Sequence, residues 1–154
     1  MKTQLTLKHL APYLPYGLKV QYLELDEHGM QEGGIANLQG LYCDDDIATF
    51  SDCMDYYFGQ DNDVEIKPIL RPLSDLTKEI EHNGEKFIPM EYILSMTSRS
   101  FAESTQQEEL VTFFIKDVKI KMLAYKYVEK LFEWHFDILG LIPEGLAIDL
   151  NTVK

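Results

Sequence analysis

The residue spacing in this chain that could most readily support chemistry is Glu65-Ile66-Lys67. On a β-strand, residues two apart point to the same face, so the Glu65 carboxylate and the Lys67 amine would lie side by side. An aspartate from a neighbouring strand, such as Asp46, could join Glu65 in holding a divalent cation. The cation would then activate a water molecule, and the lysine would assist its attack on a phosphate ester.

This spacing matches the core of the PD-(D/E)xK nuclease pattern, so a metal-dependent nuclease using Asp46, Glu65 and Lys67 is one alternative for the function. Oxygen ligands suit magnesium or calcium, and Asp63 could complete a metal site with Asp46 and Glu65. A calcium-binding EF-hand loop is excluded, because Ile66 occupies the position that requires glycine. The Glu-x-Lys spacing is common by chance, and outside this alternative we predict no catalytic residue, metal ligand or cofactor.

A second candidate is the stretch WHFD, Trp134 to Asp137, which places ionisable groups among apolar residues. On a helix, residues two apart point in roughly opposite directions, so His135 and Asp137 would not form a catalytic dyad. The pattern favours structural roles. We expect Trp134 in the core, and His135 near a helix C-terminus where the helix dipole favours its protonated form. Asp137 should face solvent or bond to the turn after Gly140.

The net charge of −12 comes from one segment of the chain. Between Val20 and Ile66 there are 12 acidic residues and no Lys or Arg, whereas the other 14 acidic residues equal the 14 basic ones in number. Such a segment repels nucleic-acid phosphates and favours a basic protein partner. It predicts protein–protein binding through an acidic surface in residues 20–66, and a solvated face that aids solubility is the simpler alternative. The predicted binding surface consists of Asp44, Asp45, Asp46, Asp52, Asp55, Asp61 and Asp63.

Composition and hydropathy limit the class of protein. The 154 residues are about the length of one domain, and the hydrophobic fraction of 45% is ordinary for a globular protein. No apolar run approaches the ~20 residues that span a bilayer, and the N-terminus lacks the apolar core of a secretory signal. We therefore expect a cytoplasmic protein with no membrane partner. Cys43 and Cys53 are expected to be free thiols, and direct nucleic-acid binding is not expected because the basic residues form no stripe.

Strands in the N-terminal half would position the acidic residues. A short helix at Leu5–Leu10 precedes two extended runs, LKVQYLELD and IANLQGLYC, and the glycine-rich loop between them predicts an antiparallel hairpin. The stretch Ile47–Phe58 could be a strand or one amphipathic turn. Pro68 indicates an edge strand or a strand end, because proline cannot donate a hydrogen bond to a neighbouring strand.

The C-terminal half is predicted to be mostly helical. Ser74 would cap a helix that stops at Asn83-Gly84. The segment Glu103–Met122 is predicted as a helix followed by a short extended piece. LAYKYVEKLFEWHFDILG is the strongest helix, with Gly140 as its stop. The predicted fold class is α+β: one domain over residues 1–154, with N-terminal antiparallel strands or a hairpin followed by a mostly helical C-terminal half.

Three stretches resemble a family of small uncharacterised proteins encoded in prophages, phages and mobile elements of gut-type bacteria; they are Tyr13–Gln21, Lys67–Ile80 and Glu133–Thr152. The resemblance touches both ends and the centre of the chain. It implies a context, that of a phage or mobile-element accessory protein, and it implies no activity and no functional residues. Together with the acidic segment it predicts a non-enzymatic accessory protein that acts by protein–protein binding. A virion structural or assembly component is a further alternative.

Overall fold

The computed structural model describes residues 4–25, 31–51, 54–60, 64–96 and 125–153. Its α-helices are α1 (Leu7–Leu10), α2 (Pro89–Ser95) and α3 (Tyr125–Glu133). Its strands are β1 (Lys19–Leu25), β2 (Gln31–Tyr42), β3 (Ile47–Phe50), β4 (Asp55–Tyr57), β5 (Val64–Leu70), β6 (Ile80–His82), β7 (Glu85–Phe87) and β8 (Ile148–Asp149). The described 3₁₀ helices are Ala11–Tyr16, Leu73–Thr77 and Leu150–Thr152.

The strands form a six-stranded mixed sheet with the order β4-β3-β2-β1-β5-β8 and a two-stranded sheet of β6 and β7. Neighbours in the larger sheet are antiparallel, except β5 and β8, which are parallel. The hairpin expected near the N-terminus is present as β1 and β2. The predicted fold class is nevertheless wrong. The described residues are mostly β, and in the C-terminal half of the chain they include three strands, two short α-helices and one 3₁₀ helix.

Asn83-Gly84 explains part of this error, because it forms the turn between β6 and β7 instead of ending a helix. Its two residues have positive φ angles of 52° and 82°. A two-residue type I′ hairpin needs this conformation at both positions, whereas a helix end needs it at one. The helix predicted to start at Ser74 is reduced to the 3₁₀ helix Leu73–Thr77, and the chain is extended from Ile80 onward.

The strongest predicted helix is also shorter than expected, since α3 ends at Glu133 and not at Gly140. His135 has a φ of 60°, in the left-handed region that an α-helix cannot continue through. Its carbonyl oxygen accepts the N–H of Arg71 at 2.8 Å, and the N–H of Asp137 donates to the Arg71 carbonyl at 2.8 Å. The chain therefore leaves the helix to form a β-bridge with the residue that follows β5.

The described helices are few and short. The longest of them, α3, has 9 residues, and within the described ranges no helix has the length and apolar character needed to cross a membrane. The predicted helix and extended piece at Glu103–Met122 lie outside the described residues.

Two hydrophobic clusters stabilise the described chain. The larger cluster covers one face of the six-stranded sheet, where Val20 and Phe50 are buried with side chains from α1 and the 3₁₀ helix that follows it. The smaller cluster gathers the second 3₁₀ helix, α2 and α3 around Trp134. Tyr13 belongs to the larger cluster, and its hydroxyl donates to the carbonyl oxygen of Phe136 in the smaller one at 2.8 Å. The two clusters are therefore joined by a buried hydrogen bond.

Candidate functional site

The turn between β2 and β3 carries three consecutive exposed aspartates, Asp44, Asp45 and Asp46. Asp46 has a φ of 52°, a left-handed conformation that aspartate tolerates better than most residues. Its carbonyl oxygen accepts the N–H of Phe58 at 2.9 Å, which connects the turn to the segment after β4. The backbone thus holds three carboxylates together at one end of the sheet.

A row of large side chains lies beside this turn. Tyr42 of β2, Ile47 of β3 and Tyr57 of β4 are direct cross-strand partners, so their side chains share one face of the sheet. The exposed fraction is 58% for Tyr42 and 39% for Tyr57. Ala48 and Phe50 alternate with Ile47 and are buried on the opposite face. The tyrosines therefore lie on the outer face, away from the core.

Asp55 adds a fourth carboxylate to the same outer face. It is exposed and pairs with Thr49 of β3. Beneath this part of the face, a Cβ at Gly40 would lie 2.8 Å from the Thr49 hydroxyl oxygen and 3.7 Å from Cε2 of Tyr42. The glycine thus leaves room for both side chains to pack over β2. We call this surface the acidic aromatic face, and it consists of Tyr42, Asp44, Asp45, Asp46, Ile47, Asp55 and Tyr57.

Four of the aspartates predicted to form a binding surface lie on the acidic aromatic face. The other three, Asp52, Asp61 and Asp63, lie outside the described residues. The sequence interpretation missed Tyr42 and Tyr57. Both tyrosines are visible in the sequence beside the acidic run, but only the strand register shows that they are neighbours.

Glu65 and Lys67 lie side by side on β5, as the strand period requires, and their charged groups form an ion pair of 3.1 Å. They border a small cavity of about 130 Å³ together with Gln21, Leu23 and Ile148. Each charge is therefore partly compensated by the other. As an exposed pair, they contribute at most about 1 kcal/mol to stability.

The described residues of the nuclease alternative lie on different elements of the structure. Asp46 lies in the β2–β3 turn, whereas Glu65 and Lys67 lie on β5, which is separated from β3 by two strands. Among the residues that the structure describes, no three His, Cys, Asp or Glu side chains are grouped so that they could hold a metal ion. Asp63, the remaining residue of the proposed set, is outside those residues.

Tyr56 and Glu65 interact across the opening between β4 and β5. Burial raises the pKa of the Tyr56 hydroxyl, and the negative charge of Glu65 raises it further. Both residues line a cavity of about 340 Å³ that is also bordered by Gln4 and Gln60. The phenol thus stays protonated and can serve as a hydrogen-bond donor in this opening.

His135 has a structural environment, as predicted, but its charge state differs from the prediction. Its pKa lies below the ordinary value because burial disfavours the cation; the hydrogen bond to the Tyr16 carbonyl oxygen raises it, and the charges of His82, Arg71 and Lys19 lower it. The distance from Nε2 to that oxygen is 2.9 Å. His135 does lie near the helix C-terminus, two residues beyond the end of α3, but the expected preference for the protonated ring is not met because burial has the larger effect on its pKa.

Asp137 is bonded to the turn after Gly140, one of its two predicted environments. It is 4% exposed, and its two carboxylate oxygens accept the N–H groups of Leu141 and Ile142, each at 2.8 Å. Its side chain therefore organises the turn and faces no catalytic partner among the described residues.

Comparison of the chain with protein-family models, with curated proteins and with solved structures gives no match. The arguments about function consequently rest on the residues and on the geometry of the described surfaces.

Proposed function

We propose that this chain is a non-enzymatic binding protein whose acidic aromatic face docks on a basic protein surface. The observation that supports this proposal is the row of Tyr42, Ile47 and Tyr57 directly beside the three aspartates of the β2–β3 turn. A solvated face that only aids solubility would need the carboxylates and not the exposed aromatic rings.

The chemistry of the face favours arginine and lysine side chains of a partner. Carboxylates attract these cations and steer their approach, whereas tyrosine rings supply apolar area and cation–π contacts. No lysine or arginine occurs between Val20 and Ile66. The segment that carries the face therefore supplies no positive side chain to neutralise its carboxylates. Binding would therefore combine salt-sensitive attraction with burial of the two rings.

The biological setting remains a proposal based on the sequence. The resemblance that we infer for three sequence stretches is the support for an accessory role in a phage, prophage or mobile element. A virion assembly component would use the same kind of surface, and the binding experiment applies equally to it.

The test compares two variants with matched charge changes. The first carries Asp44→Lys, Asp45→Lys and Asp46→Asn, because asparagine also tolerates the positive φ at position 46. The control carries two reversals and one neutralisation among exposed acids around β6 and β7, namely Glu79→Lys, Glu81→Lys and Glu85→Gln. Binding of a fluorescent decapeptide of alternating arginine and serine is measured by polarisation at low and high salt.

We expect the first variant to bind this peptide about tenfold more weakly than the unmodified protein at low salt, and the control to change by less than about twofold. Tyr42→Ala should also weaken binding, by an amount that persists at high salt because burial of the ring is not screened. Equal weakening in both charge variants would show a general effect of net charge and would refute the proposed face.

A further inference from the structure

A cleft of about 600 Å³ lies between the segment after β5 and the turn after Asp137. One wall is formed by Pro72 and Leu73, and the other by Leu139 and Ile142. Both walls are largely apolar, and the volume is within the range of about 300–1,000 Å³ that is typical of small-molecule sites. The cleft lies apart from the residues of the acidic aromatic face, none of which lines it.

The polar groups of the cleft are acidic or neutral. Asp137 and Glu144 each contribute a carboxylate, Ser74 contributes a hydroxyl, and none of the described lining residues is basic. An anionic ligand would therefore meet two negative charges and no cation. A purely apolar ligand would make no use of either carboxylate.

Asp137 is the group that points to a cation. It is almost completely buried, and two backbone N–H groups donate to it. Among the described residues, however, no lysine, arginine or histidine forms an ion pair with it. Each carboxylate oxygen can accept a further hydrogen bond. Because a buried carboxylate is less screened by water than an exposed one, a cation in the cleft would be attracted to it more strongly.

We propose that this cleft is a binding site for a small organic cation, an amine attached to an apolar body. The apolar body lies between Leu73 and Leu139, and the ammonium group donates hydrogen bonds to Asp137. Glu144 at the rim adds a second, weaker attraction, because it is exposed. This site is independent of the proposed protein-binding face.

The experiment uses three probes of equal shape: cyclohexylmethylamine, which is protonated at neutral pH, the neutral cyclohexylmethanol, and cyclohexanecarboxylate. Each is titrated into the full ¹⁵N-labelled chain, and the amide signals of Gly140, Leu141 and Ile142 are followed. We expect these three signals to shift with the amine, with an apparent Kd at least about tenfold lower than that of the alcohol. The carboxylate should cause no shift.

Two substitutions locate the binding. Ser74→Trp places a large ring in the cleft and should abolish the shifts. Thr77→Trp is the matched control, because it adds the same ring at an exposed position of the same 3₁₀ helix outside the lining. Asp137→Asn should remove the preference for the amine over the alcohol. Since that variant could fail to fold, Glu144→Gln is measured as well and should weaken amine binding by up to about fivefold.

Equal affinities for the amine and the alcohol would overturn the cationic class of ligand. Shifts that survive Ser74→Trp, or that occur away from residues 139–144, would overturn the location. Neither result would bear on the acidic aromatic face, since that proposal is tested with a peptide and with other variants.

Discussion

Single residues of the WHFD stretch show how ionisable groups can have structural roles. His135 adopts a left-handed backbone conformation and bonds to the Tyr16 carbonyl oxygen, and Asp137 accepts two N–H groups of the following turn. Trp134 is 3% exposed and packs against Phe87 and Tyr92 at ring-centroid distances of 5.0 Å and 5.2 Å. The residue types indicated structural roles, but the partners of Trp134 and His135 come from other parts of the chain.

Trp134→Ala tests the packing role. Removing a buried aromatic side chain leaves a cavity in the smaller cluster, so we expect the free energy of unfolding to fall by roughly 3–5 kcal/mol. Urea denaturation followed by circular dichroism measures this change. Tyr125→Ala, which removes an aromatic ring that is mostly exposed, should change stability by less than about 0.5 kcal/mol. Similar losses in both variants would contradict the burial of Trp134.

Elements were predicted best where the pattern alone selects the structure. Two extended runs and the glycine-rich loop between them led to the β1–β2 hairpin. The prediction failed at Asn83-Gly84, because this pair can end a helix or close a hairpin. The choice depends on pairing between β6 and β7, which are only 3 residues each. Pro68 was expected on an edge strand or at a strand end. Its strand, β5, lies between β1 and β8, but β8 pairs only with Ile69 and Leu70, so Pro68 has a strand partner on the β1 side alone.

Gly33→Ala tests the tight pairing of β1 and β2. A Cβ at Gly33 would lie 2.5 Å from the backbone oxygen of Tyr22, so the strands would have to separate locally. We expect a loss of about 1–3 kcal/mol in the free energy of unfolding, measured by urea denaturation. Ile35→Ala on the same strand removes a half-exposed side chain without a steric conflict, and its effect should be smaller. A neutral Gly33→Ala variant would argue against this register.

At the scale of the whole molecule, the chain combines a negatively charged sheet with a charge-balanced remainder. The described acidic residues between Val20 and Ile66 lie on β1, β2, β4 and β5 and in the β2–β3 turn, so this negative charge belongs to the larger sheet. The two hydrophobic clusters meet where Tyr13, Phe136 and His135 lie close together. Interactions at this junction should therefore affect the stability of the whole structure.

Stability should depend on pH through the histidines at the junction. Burial lowers the pKa of His135, and burial together with Arg71 lowers the pKa of His82. Because the unfolded chain then binds protons more readily, the free energy of unfolding should decrease as pH falls below about 6.5, before most carboxylates titrate. Asparagine tolerates the positive φ at position 135, so His135→Asn should fold. It should reduce the dependence of the free energy of unfolding on pH, as measured by urea denaturation between pH 7.5 and about pH 5. If the pH dependence is unchanged in both His135→Asn and His82→Asn, the histidines are not its cause.

The charge asymmetry, the first hairpin and the apolar character of the C-terminal motif could be predicted from the sequence, because they follow from composition and from local periodicity. Three other features are evident only in the folded chain: the WHFD stretch leaves its helix to pair with Arg71, Asn83-Gly84 closes a hairpin, and Tyr42 and Tyr57 flank the acidic turn. The first depends on a contact between residues far apart in the chain, and the other two depend on which strands pair and in which register. Local propensities differ too little to select these structures, whereas burial and backbone pairing between strands stabilise one of them.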